Sequence, residues 1–84
     1  MIGKIAYEAI EKNRPIIKEL AVKIWKNPEG TYKEFNACQW TAQVLRDAGF
    51  DVEVGVAGVP TAIKATYGSG HPVIGFLGEY DSLP

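Results

Sequence analysis

The chain has 84 residues, of which 46% are hydrophobic and 23% charged, and a formal net charge of -1; that size allows one domain with a small core, of ordinary globular composition. Its basic residues are scattered apart from Lys18, Lys23 and Lys26, so no nucleic-acid partner is expected, since phosphate backbones are tracked by basic patches. The longest apolar run, about five residues around Ile74, is far shorter than the roughly twenty a membrane-spanning helix needs, and no membrane partner is expected.

The sole cysteine, Cys38, has no internal disulfide partner, and Met1-Ile2-Gly3-Lys4 lacks a signal-peptide core. A reducing cytoplasm is the expected compartment. Along the first stretch, Ile2, Ile5, Ala9, Ile16, Leu20 and Ile24 recur at steps of three and four, which predicts a long helix from Ile2 to Lys26. Pro15 lies within it and cannot donate its backbone N–H, so a kinked single helix is expected. Asn27-Pro28-Glu29-Gly30 should end it. Thr31 followed by Glu34 matches a capping box and predicts a second helix from Tyr32 to about Ala48, stopped by Gly49.

On that second helix Phe35, Cys38, Ala42 and Leu45 form one apolar stripe, while Trp40, Val44 and Ala37 project nearly opposite. Two covers are therefore needed, and the chain itself is expected to supply one of them, which predicts further polypeptide or self-association into a homo-oligomer. After Gly49 the period falls to two: Val52, Val54 and Val56 alternate with Asp51, Glu53 and Gly55, as in a half-buried strand that Gly58-Val59-Pro60 breaks. Thr61 to Tyr67 reads as a second strand. Gly68-Ser69-Gly70-His71-Pro72 reads as the turn of an antiparallel return into a third strand, Val73 to Leu77, apolar on both faces and so expected mid-sheet. The predicted fold class is α/β, two helices followed by three strands, with residues 1–84 forming a single incomplete unit.

Two carboxylates, Glu79 and Asp81, follow that last apolar run, where open α/β sheets place ligands. Spaced two apart on an extended segment, they would project to one side and could share a cation or proton, and a solvated turn is the plain alternative. His71, the only histidine, sits in a Gly- and Pro-rich turn with no second ligand nearby and reads as an exposed turn residue. Cys38 reads as a small core residue. Gly68 and Gly70 lack the following helix that a phosphate-binding loop requires.

Taken in order, Asn27-Pro28-Glu29, Glu34, Gly49-Phe50, Gly58-Val59-Pro60-Thr61-Ala62, Gly68-x-Gly70-x-Pro72-Val73-Ile74-Gly75 and Gly78-Glu79-Tyr80-Asp81-x-Leu83-Pro84 resemble the amino-terminal part of zinc-peptidase-family amidohydrolases of the aminobenzoyl-glutamate hydrolase type. The resemblance covers essentially the whole chain. It implies hydrolysis of an amide bond in an N-acyl amino acid or aminobenzoyl-glutamate-like small molecule, by water held on a divalent metal, zinc or manganese, in the complete enzyme.

Where many members read His-x-Asp-x-x-Pro, this chain reads Glu79-Tyr80-Asp81-Ser82-Leu83-Pro84. The resemblance thus gives Asp81 a supporting role beside a metal-binding histidine and makes Glu79 a candidate only. Gly30 stands where a leucine is usual. The family's downstream Gly-His-x-Cys-Gly-His segment, glutamate pair and later histidines are not in these 84 residues. The expectation is a first portion of a catalytic domain that binds no metal by itself and is inactive alone. A small non-catalytic module that associates with itself or a partner is the alternative.

Overall fold

A computed structural model describes residues 2–81. The elements run α1 (Ile2–Lys26), α2 (Phe35–Asp47), β1 (Asp51–Val54), a 3₁₀ turn (Val56–Gly58) and β2 (Ile63–Thr66). Two helices thus precede a two-stranded antiparallel hairpin, a mixed α/β arrangement.

α1 is one helix of 25 residues with Pro15 inside it. The chain continues past the missing N–H with local support on either side. Arg14 pairs with Glu11 one turn back, and Lys23 Nζ lies 3.5 Å from Glu19, contacts worth a few tenths of a kcal/mol at such exposed spacings. Lys23 and Lys26 in the last turn face the negative end of the helix dipole. Asn27 closes the helix: its side-chain amide donates to the Lys23 carbonyl at 2.9 Å and its backbone N–H to that of Ile24 at 3.2 Å.

α2 is the centre of the fold, in contact with α1, β1 and β2. Ala37, Cys38 and Ala42, none more than 3% exposed, are the buried apolar residues. Small side chains there let neighbouring backbone come close. Both sides of the helix have neighbours within the chain, although Trp40 and Val44 stay half-buried and Phe35 is 57% exposed. Ile16, Leu20 and Lys23 of α1 face Trp40 and Val44 across a shallow groove, and the Lys23 ammonium sits 5.8 Å from the Trp40 ring centroid.

The end of α2 follows the sequence closely. Gly49, at φ 93°, donates to the Arg46 carbonyl at 3.0 Å, and Phe50 N–H donates to that of Leu45 at 3.0 Å. This is the Schellman pairing, which uses a left-handed residue to satisfy the last carbonyls of a helix. Phe50 then stacks in a tilted arrangement on Tyr67, ring centroids 5.2 Å apart, which ties the helix exit to the end of β2.

In the hairpin, Asp51 pairs with Thr66, Val52 with Ala65, Glu53 with Lys64 and Val54 with Ile63. Val52, Ile63 and Ala65 are half-buried, while Glu53 and Lys64 put opposite charges across the outer face. β1 is shorter than its alternation predicts. Gly55 turns to φ 84° and Val56 enters the 3₁₀ turn instead of extending the strand.

The expected third strand is not formed. Val73 to Leu77 carries no strand, and Val73, Phe76 and Leu77 are 82%, 96% and 100% exposed. A strand exists only by pairing; β1 takes β2 as its partner, and among the described residues nothing else pairs with the Val73–Leu77 segment. The turn at Gly68 to Pro72 therefore leads into exposed, unpaired chain and not into an antiparallel return. Leu83 and Pro84, which carry part of the strand-end motif, lie outside the described residues.

Gly49→Ala should cost about 1 kcal/mol of stability, because its left-handed backbone penalises a Cβ, even though that Cβ would meet the Tyr67 ring only at an ordinary contact distance of 3.6 Å. Gly30→Ala, with open space around it, should be close to neutral. Urea midpoints of the two variants make the comparison, and equal midpoints would contradict it.

Candidate functional site

The first turn of a helix leaves backbone N–H groups without partners, and at α2 a distant carboxylate takes two of them. Glu29, from the Asn27-Pro28-Glu29 loop, accepts from Asn36 N at 3.1 Å through Oε2 and from Ala37 N at 2.8 Å through Oε1. Its negative charge also meets the positive end of the helix dipole. The capping box expected from Thr31 and Glu34 is therefore not made, and α2 begins at Phe35, not Tyr32. Tyr32 at φ 64° keeps the intervening chain out of helical geometry, closed by Lys33 N–H on the Gly30 carbonyl at 2.9 Å.

The two freed side chains do other work. Glu34, 8% exposed, accepts a hydrogen bond from the buried Thr61 hydroxyl at 3.2 Å. Thr31 reaches fifty residues ahead, its hydroxyl donating to Asp81 Oδ2 at 2.9 Å. The Tyr80 hydroxyl donates to the Thr61 carbonyl. Residues 80 and 81 are thus fastened on either side to the start of α2. Burial first, then the neighbouring Cys38 sulfur and the charges of Glu34 and Glu29, push the Tyr80 hydroxyl well above the usual tyrosine range.

Of the two carboxylates singled out in the sequence, only Asp81 joins this cluster. Glu79 is exposed and makes no hydrogen bond among the described residues; it lines a groove of about 690 Å³ together with Thr41, Leu45, Ile63, Ala65 and Leu77. Thr61 and Tyr80 of the cluster line the same groove, whereas Asp81 is not among its lining residues. His71 is exposed in its turn and Cys38 is buried in the core. The Thr41 hydroxyl in the groove wall is buried without a hydrogen-bond partner among the described residues.

Among the described residues no three His, Cys, Asp or Glu side chains come together in a way that could hold a metal ion. The set does not fit a resident metal by itself, which needs three or four ligands. Asp81 has one oxygen engaged by Thr31, and the other takes no hydrogen bond among the described residues. That second oxygen can accept a further hydrogen bond.

Glu29, Glu34, Thr61 and Tyr80 were not singled out as site residues from the sequence. All four stand inside the motifs that carry the family resemblance. The signal lay there, though their partners could not be read from spacing.

The chain matches the amino-terminal part of hydrolase and peptidase enzymes. It is 42% identical over 76 residues to a p-aminobenzoyl-glutamate hydrolase subunit of Escherichia coli (strain K12), a match covering 90% of this chain and 16% of that protein. It is 33% identical over 86 residues to thermostable carboxypeptidase 2 of Saccharolobus solfataricus, covering 92% of this chain and 22% of the relative. With thermostable carboxypeptidase 1 of the same organism the identity is 36% over 70 residues, covering 81% and 18%. The chain thus spans at most about a fifth of the length of these curated relatives. No family model matches it, and no solved structure matches it significantly.

The raised Tyr80 value sets a pH dependence. Above the ordinary 10.0 the unfolded chain releases this proton while the folded chain keeps it. The stability from this group is therefore complete below about pH 10 and declines as the pH climbs further. Melting temperature against pH should fall less steeply above pH 10 in Tyr80→Phe than in the parent. Parallel curves would show that Tyr80 is not held neutral by the fold.

Proposed function

We propose that this chain forms the amino-terminal part of the catalytic domain of a metal-dependent amidohydrolase that cleaves the amide bond of an N-acyl amino acid or aminobenzoyl-glutamate-like substrate. The observation that supports this most is the 42% identity to a p-aminobenzoyl-glutamate hydrolase subunit across 90% of the chain. The clasped Tyr80-Asp81 segment supports it further, because the resemblance places the family's supporting aspartate at Asp81, which is held by Thr31, while its neighbour Tyr80 is held by Thr61 of another motif.

The role of these residues in such an enzyme is positional. Glu29 fixes the start of α2, Glu34 and Thr61 hold Tyr80, and Asp81 is left with one carboxylate oxygen to accept an N–H from a neighbouring imidazole and set its orientation. A divalent ion, zinc or manganese, would supply the activated water, and its ligands would come from outside the described residues. Val73 to Leu77 would then be a sheet strand of the larger domain, a reading supported by its apolar composition and near-complete exposure here. A structure of the longer protein with this segment unpaired would rule that out.

The 84-residue chain alone should not turn over aminobenzoyl-glutamate with zinc or manganese. In an enzyme carrying this segment, Asp81→Ala should leave the circular-dichroism spectrum unchanged and reduce activity by roughly 10- to 100-fold, the usual cost of losing a residue that orients a metal ligand. Glu79→Ala should cost less. Kinetics of the two variants decide it, and an Asp81→Ala enzyme with parental activity would leave Asp81 as part of a solvated turn.

A further inference from the structure

We propose that Thr31 is a positioning residue for Asp81: its hydroxyl selects the direction in which the carboxylate presents its second oxygen. The inference rests on the reading of Asp81 given above and adds the group that orients it. An aspartate on an exposed segment rotates freely unless something takes one of its oxygens, and Thr31 Oγ1 donates to Oδ2 at 2.9 Å. Oδ1 is then the oxygen open to a further donor. Threonine suits this task because its branched Cβ restricts χ1, so little side-chain freedom is lost when the hydroxyl is aimed.

Both ends of the bond are anchored on α2, which makes it more than a chance surface contact. On the Thr31 side, Glu29 is bound to two amides of the first turn, and the Lys33 N–H closes the loop on Gly30 at 2.9 Å. On the Asp81 side, Tyr80 is fastened to Thr61, and Thr61 in turn to the buried Glu34 at the N-cap of the same helix. The chain on either side of the bond is thus tied by hydrogen bonds to the N-terminus of α2.

Two substitutions separate the hydroxyl from the shape of the side chain: Thr31→Val removes the donor at nearly constant volume, and Thr31→Ser retains it. In the 84-residue chain, the Asp81 carboxyl carbon resonance should move in Thr31→Val and return toward its parental position in Thr31→Ser. A resonance unmoved by Thr31→Val would overturn the proposal. In an enzyme carrying this segment, Thr31→Val should lower kcat roughly 10-fold with little change in KM, on the scale of one hydrogen bond to a charged group. Added to Asp81→Ala, it should cost nothing more.

Independent, additive losses would overturn the positioning role, because Thr31 would then act without Asp81. An Asp81→Ala enzyme of parental activity would instead overturn the functional reading of Asp81. The resonance measurement would still decide whether Thr31 orients the carboxylate.

Discussion

The bond on which the arrangement turns is that of the Glu29 carboxylate to the amides of Asn36 and Ala37, seven and eight residues further on. Helix caps usually come from the residue just before the first turn and are worth about 1 kcal/mol. Here the cap comes from the preceding loop, so the same contact that starts α2 also folds residues 29 to 34 back across its N-terminus. With that end occupied, Thr31 and Glu34 are released from capping and become available to Asp81 and Thr61. One electrostatic choice thereby converts a helix start into a platform that holds the chain near residue 80.

The helices and the first strand were legible because their signals are local. Apolar spacing set the extent of α1, with Pro15 tolerated inside it, and Gly49 marked the end of α2 through the left-handed backbone that a Schellman closure requires. The start of α2 misled for a physical reason. Thr31-x-x-Glu34 has the composition of a capping box, but a carboxylate upstream competes for the same amides, and Tyr32 adopts a positive φ that leaves Thr31 outside the helix. Val73 to Leu77 has strand composition in full, yet pairing depends on a partner distant in sequence, which no periodicity can supply.

The candidate site divides the same way. Asp81 and Glu79 are both marked by a motif at the end of an apolar run; Asp81 is hydrogen-bonded by Thr31, and Glu79 lines a groove with Thr61 and Tyr80. The residues that hold Asp81 come from three separated parts of the chain, at 29 to 34, 61 and 80, and no spacing rule brings them together. The chain is similar to part of a p-aminobenzoyl-glutamate hydrolase subunit and of two carboxypeptidases, and the proposed function gives the clasp a purpose. In an enzyme, a carboxylate whose direction is fixed can orient a partner, whereas a free one would need to be ordered at each turnover.

Hydrogen exchange at the amides of Asn36 and Ala37 tests the central claim most directly. In the parent chain both should be protected, and Glu29→Ala should abolish their protection together while amides in the middle of α2, near Ala42 to Val44, exchange as before. Unchanged protection of Asn36 and Ala37 in Glu29→Ala would mean that α2 starts without this carboxylate, and the platform built on it would have to be abandoned.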